Sequence, residues 1–172
     1  MSQAAERARA FYTEAIARLP MYAHAASHLA LLEAPAQGAA RLEPIVVASD
    51  DPEIEMVYAQ RLRDRGDGAE AERRFAHVRA RFDELCGKHP EAFADHAGWF
   101  WLDEGHDPQR ALALAKQNLV VRQTERAYEL GLLAATAAGS RADLCAIGTE
   151  AQKLRYASEM LRGIAATACA PR

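Results

Sequence analysis

Aromatic side chains make up only 7% of this 172-residue chain. Val and Ile are sparse as well, so the residues that favour pleated, half-buried strands are in short supply. No segment alternates apolar and polar residues over the length of a strand; Ile45-Val46-Val47 comes nearest and is too short. Long apolar runs are missing too. None approaches the roughly 20 residues that span a bilayer, and the amino end carries Glu6, Arg7, Arg9 and Glu14 where a signal peptide would be uninterruptedly apolar. Cysteine is scarce: Cys86, Cys145 and Cys169 stand far apart with no C-x-x-C pair. That excludes a zinc knuckle and suggests no disulfide framework, and it leads us to expect free thiols in a reducing compartment. An excess of one charge is absent, since the net charge is -3 and the signs are interspersed. Neither nucleic acid nor a membrane surface is therefore an expected partner. The expected location is cytoplasmic, although a domain cut from a longer exported protein would show the same features.

What the chain does have is apolar mass, with half of its residues hydrophobic and alanine dominant among them. Alanine is the best helix former and lets helices approach closely, so the expected class is all-α with a substantial core. Breakers predict ten helices, over 2–18, 21–34, 37–48, 52–65, 68–87, 91–104, 108–121, 125–138, 141–154 and 157–169. Pro52 and Pro108 suit first-turn positions behind Asp51 and Asp107 as caps, with Thr124 and Ser140 as further caps. Gly66, Gly105 and Gly139 can supply left-handed C-terminal turns. Pro44 conflicts with its helix and predicts a kink or a late start there.

The breakers recur near Pro20, Pro52, Pro90, Thr124 and Ala157, in steps of about 32 to 38 residues. A period of that size signifies repeated helix pairs, because two short helices bury their apolar stripes only by leaning on the next pair. One unit carries Tyr58-Ala59, Leu62, Gly66, Ala71, Phe75 and Val78, and a second carries Ala97-Gly98, Trp101, Gly105, Ala111 and Ala115. With Leu29-Ala30 and Tyr128, Leu130-Gly131 and Gly139 as weaker echoes, this pattern resembles the tetratricopeptide repeat family, in particular the C-terminal parts of bacterial tetratricopeptide proteins of unassigned function. The second unit departs by an extra turn residue and by Ala115 where an aromatic is usual. Ala8, Tyr12, Ala15 and Pro20 match a second helix without its first, so the chain reads as one repeat domain over 1–172 that begins mid-array or opens with an end cap. The resemblance implies a right-handed α-solenoid of antiparallel helix pairs with a concave groove.

In that family the first helix of each pair faces the groove. The corresponding positions here are His24, Ser27 and Leu31, then Met56, Gln60 and Arg63, then Asp95 and Trp99, then Tyr128 and Leu132. Trp101 takes the packing position instead. Such a mixed surface suits a protein or peptide segment held by apolar anchors and a few orienting hydrogen bonds. The Lys and Asn with which chaperone-binding relatives clamp a terminal carboxylate are absent, so the expected role is a non-catalytic scaffold of another specificity.

Two alternatives come from other classes. His24 and His28, four apart on one helical face, have the spacing at which imidazoles share a metal, although the Glu of H-E-x-x-H is missing. A structural reading makes the chain the dimerising end of a longer solenoid. The arginine-dense stretch Arg61, Arg63, Arg65, Arg73, Arg74, Arg79 and Arg81 is matched by Asp64, Asp67, Glu70 and Glu72, so local ion pairs are expected in place of RNA contacts. No G-x-S-x-G, phosphate-cradling loop or spaced nucleophile–base pair occurs. Asp103 and Glu104 diverge by about 100° around a helix, and Cys86 beside His89 is a neighbour pair only. No enzyme activity, cofactor or metal is expected.

Overall fold

The computed structural model describes residues 3–169, and among these the chain is helical with no strand. Ten helices follow one another: α1 Gln3–Arg18, α2 Ala23–Leu31, α3 Pro35–Ala48, α4 Pro52–Asp64, α5 Gly68–Lys88, α6 Pro90–Leu102, α7 Pro108–Val121, α8 Glu125–Ala137, α9 Arg141–Ala151 and α10 Glu159–Thr167. The expected start of the first helix at residue 2 lies outside the described residues.

Several ends have the anticipated physical cause. The Asp51 carboxylate accepts from Glu53 N at 2.9 Å, and Asp107 accepts from Arg110 N at 2.9 Å. Thr124 accepts from Ala127 N at 3.3 Å and Ser158 from Leu161 N at 3.2 Å, so four of the described helices start with an orphan amide satisfied by a side chain. Gly66 and Gly139 take φ values of 102° and 68°, a region only glycine enters without strain.

Three local expectations are corrected. Ser140 precedes α9, but its hydroxyl donates to Asp143 Oδ2 at 2.6 Å and makes no cap bond. The left-handed residue after α6 is His106, with φ 51°, and Gly105 serves packing instead: a Cβ there would meet Trp101 Cε3 at 2.6 Å. Pro44 neither delays nor ends its helix, which runs from Pro35 through Ala48. Both Pro44 and Ala40, whose carbonyl loses its donor, are exposed, so water can take the place of the missing bond.

The helices fall into two compact units, one through Arg81 and one from Phe82. In the first, α2 packs on α1, α3 and α4, and α3 on α4. Its core holds Leu29, Leu42, Leu62, Phe75 and Val78, all at most 2% exposed. Burying a side chain such as Phe75 stabilises by about 1.5–3 kcal/mol relative to leaving it in water. Alanine and glycine allow the close approach: a Cβ on Gly38 would lie 2.6 Å from the Ala30 carbonyl oxygen, so α3 meets the α2 backbone directly.

In the second unit each of α6 to α10 packs on the next, and α8 also touches α6 and α10. Phe82, Phe100, Leu130 and Leu161 fill its core, and Trp101 is buried as expected. Gly148 of α9 faces Ala168 so closely that a Cβ there would stand 2.4 Å from the alanine Cβ.

The cysteines overturn the expectation of free thiols. Cys145 in α9 and Cys169 beyond α10 form a disulfide across 24 residues of sequence, a loop whose closure stabilises by about 3 kcal/mol on chain-entropy grounds. Helix packing brought together two residues whose sequence spacing matches no motif. Cys86 remains free and half-buried. The cytoplasmic expectation drew on three free thiols, and two of them are bonded. Among the described residues no helix is long and apolar enough to cross a membrane.

Candidate functional site

The expected groove positions separate into exposed, half-buried and core residues. On α2, His24 is exposed and Leu31 is exposed, whereas Ser27 is buried and its hydroxyl donates to the His24 carbonyl at 2.9 Å. On α4, Met56 and Gln60 are half-buried, and Arg63 is exposed with its guanidinium 5.3 Å from the Phe75 ring centre. On α8, Leu132 is fully buried and Tyr128 is 5% exposed. Ser27, Tyr128 and Leu132 are therefore corrected from groove to core. Four helices, α6, α7, α9 and α10, pack on α8.

The two histidines do come together. The His24 and His28 rings meet edge to face at 4.5 Å, and Tyr12 of α1 stacks on His28 at 5.2 Å and 9°. Tyr22 lies 6.3 Å from His24, completing an aromatic row along α2. Burial, then the neighbouring His24, lowers the His28 pKa, against an opposing pull from Glu53. Among the described residues no group of three or more His, Cys, Asp or Glu side chains could hold a metal ion.

Asp95 and Trp99 form the most built part of the expected surface, through a residue the sequence reading missed. Arg126, at the start of α8, donates Nε–H to Asp95 Oδ2 at 3.2 Å and places its guanidinium 5.2 Å above the Trp99 ring. A cation over an indole is attracted by the ring quadrupole, by about 0.5–1 kcal/mol where exposed. Beneath it, Asp95 Oδ1 and Trp99 Nε1 are both buried without a hydrogen-bond partner. One is an acceptor and the other a donor, four residues apart on α6. An unmatched buried polar atom costs about 1–3 kcal/mol. Arg126 itself is 60% exposed in its side chain. Asp95 and Arg126 are 31 residues apart in the sequence, so only helix packing brings them together.

No family model, curated protein or solved structure matches this chain. Its chemistry is therefore read from its own residues.

A second cluster escaped the sequence reading altogether. Glu55 of α4 is buried, with 5% of its side chain exposed, and both of its oxygens are partnered from α5. Arg74 Nη1 reaches Oε1 at 3.4 Å and His77 Nδ1 reaches Oε2 at 2.5 Å. Arg74 also pairs with Glu70 at 2.8 Å and sits 5.6 Å from the Tyr58 ring centre. Burial pulls its pKa down, but the hydrogen bonds to Glu70 and Glu55 and the charges of those two carboxylates together outweigh it and raise the value. The signal was a glutamate three residues before Tyr58 and seven before Leu62, on the apolar face of α4.

The arginine-dense stretch is paired as expected. Arg61 meets Asp64 at 2.5 Å, Arg65 meets Asp67 at 2.5 Å, Arg73 meets Glu70, and Arg81 meets Asp50 at 2.5 Å. Burial raises the Cys86 thiol pKa, with Asp83 adding to it and Arg110 opposing, which keeps the thiol protonated.

Proposed function

We propose that the chain is a non-catalytic protein-interaction module built from tetratricopeptide-type helix pairs, and that it receives a protein segment on the α6–α8 face at Asp95, Trp99 and Arg126. The carrying observation is the buried acceptor and donor, Asp95 Oδ1 and Trp99 Nε1, beside an exposed arginine. A peptide supplies what they lack: its N–H groups donate and its carbonyls accept, and its apolar side chains can pack on the indole. The repeat supports the solenoid reading. So do the contacts of α2 with α4 and of α8 with both α6 and α10, since first helices of successive pairs touch in such a stack.

The test is capture by the intact chain, with partners identified by mass spectrometry, beside Trp99→Ala and Asp95→Ala variants of unchanged helical circular dichroism. A partner lost from both variants and regained on restoring the native residues is the expected result. Equal capture by all three proteins would reject this face.

A second reading, self-association, rests on α1. None of its residues is buried, while Phe11 and, just beyond the helix, Leu19 are 65% and 63% exposed. Exposed large apolar groups in one short segment suit burial against another copy. Light scattering over a concentration series should show dimers that Phe11→Glu removes; a monomer at every concentration rejects the reading.

A further inference from the structure

We propose that His77 is a phosphoryl-acceptor site, its ring nitrogen Nε2 taking a phosphoryl group from a small acyl phosphate or phosphoramidate donor. Three observations on α4 and α5 carry the inference. First, the Glu55 carboxylate is buried and holds Nδ1 at 2.5 Å. A carboxylate only accepts, so Nδ1 carries the hydrogen and the neutral ring keeps its lone pair on Nε2. Second, the imidazole is 58% exposed while Nδ1 is taken by the buried Glu55, which leaves Nε2 as the ring nitrogen a donor can reach. The nucleophile is thereby both oriented and accessible, which are the two requirements of a histidine that forms a covalent intermediate. Third, Arg73, Arg74 and Arg81 lie three or four residues from His77 on the same helix, the spacing of side-chain neighbours. They now pair with Glu70, Glu55 and Asp50, and a phosphate on Nε2 offers them a stronger acceptor. His24 and His28, by contrast, face each other and Tyr12.

The transfer balances. The Nε2 lone pair attacks phosphorus and the N–P bond forms; with an acyl phosphate the P–O bond to the acyl group breaks with its electron pair leaving on the carboxylate, and with phosphoramidate the P–N bond breaks with its pair leaving on the already protonated nitrogen, released as ammonia. The imidazole becomes a cation that retains its Nδ1 hydrogen, so no proton has to leave. Glu55, a positioning residue, faces that new positive charge, while the arginines face the added negative charge. Nothing in this step turns over, so it is a modification of the chain and stands apart from the role proposed for the α6–α8 face.

The test is incubation of the full chain with acetyl phosphate and, separately, with phosphoramidate. Phosphorus NMR would follow the N–P signal, and tandem mass spectrometry would locate the label among the six histidines. The expected result is acid-labile, alkali-stable label at His77, formed roughly tenfold faster than at the other histidines and absent in His77→Gln. Glu55→Gln should slow labelling at His77 without slowing it elsewhere. Arg81→Gln, which leaves the buried carboxylate in place, should raise the donor concentration needed for half-maximal rate. Label spread evenly over the histidines of the wild-type chain would overturn the proposal, and that readout requires no variant to fold. An unchanged rate in a folded Glu55→Gln protein would overturn it as well.

Discussion

Glu55 and Asp95 are both carboxylates drawn into helix packing, with 5% and 14% of their side chains exposed, and they end differently. Both oxygens of Glu55 are engaged, one by Arg74 and one by His77. Asp95 has Arg126 on one oxygen and nothing on the other. A fully partnered buried carboxylate contributes to stability and fixes what it holds, whereas a half-partnered one keeps an interaction in reserve at a cost to the free protein. The difference supports the proposed roles, Glu55 as a positioning group and Asp95 as part of a docking surface.

Truncation breaks this comparison most directly. Removing one member of a buried pair costs about 3–5 kcal/mol, but Arg74 and His77 are part-exposed, so Glu55→Ala should cost about 2 kcal/mol in urea unfolding. Asp95→Ala should cost under about 1 kcal/mol, because it also removes an unsatisfied atom. Equal losses at the two sites would erase the distinction.

Acid separates the two units by a smaller margin. His28, near α4, is held below its ordinary 6.5 first by burial and then by His24. The unfolded chain therefore takes up that proton first, and the contribution present above about 6.5 is lost as pH falls through the lowered value. Asp143, in the second unit, is held below its ordinary 3.8 by hydrogen bonds from Lys116 and Ser140. Its contribution persists to lower pH and is lost as pH falls below that value. Unfolding midpoints followed through the imidazole and then the carboxylate range should show two declines, the first missing in His28→Gln and the second reduced in Lys116→Gln. A single decline unaffected by either substitution would contradict both assignments.

The smallest effect is local. In Arg126→Ala the indole N–H of Trp99 should gain access to water, so its NMR signal should exchange faster while that of buried Trp101 stays protected. Unaltered exchange at Trp99 would show that Arg126 is no cover.

Much of the fold was legible because its causes are local. Asp51 before Pro52, Asp107 before Pro108 and Thr124 before Glu125 start helices by nearest-neighbour chemistry, and Ala59, Leu62, Ala71 and Phe75, expected to pack, are buried. The candidate site was half legible. Asp95 and Trp99 could be placed on one face of α6, but Arg126 arrives from α8, and Tyr128 and Leu132 were misplaced because a helix with neighbours on several sides buries more than a first-helix face. Glu55 went unseen because a charged residue on an apolar stripe has no meaning until its partners are known.

Helix content, helix ends and the spacing of the packing residues follow from the sequence, since propensity, capping and periodicity act within a few residues along the chain. Tertiary structure decided which distant groups meet: Cys145 with Cys169, Asp95 with Arg126, Glu55 with His77. Those contacts depend on how neighbouring helices are rotated and offset, and that is set by whole apolar faces closing together, as where Gly38 lets α3 reach the backbone of α2.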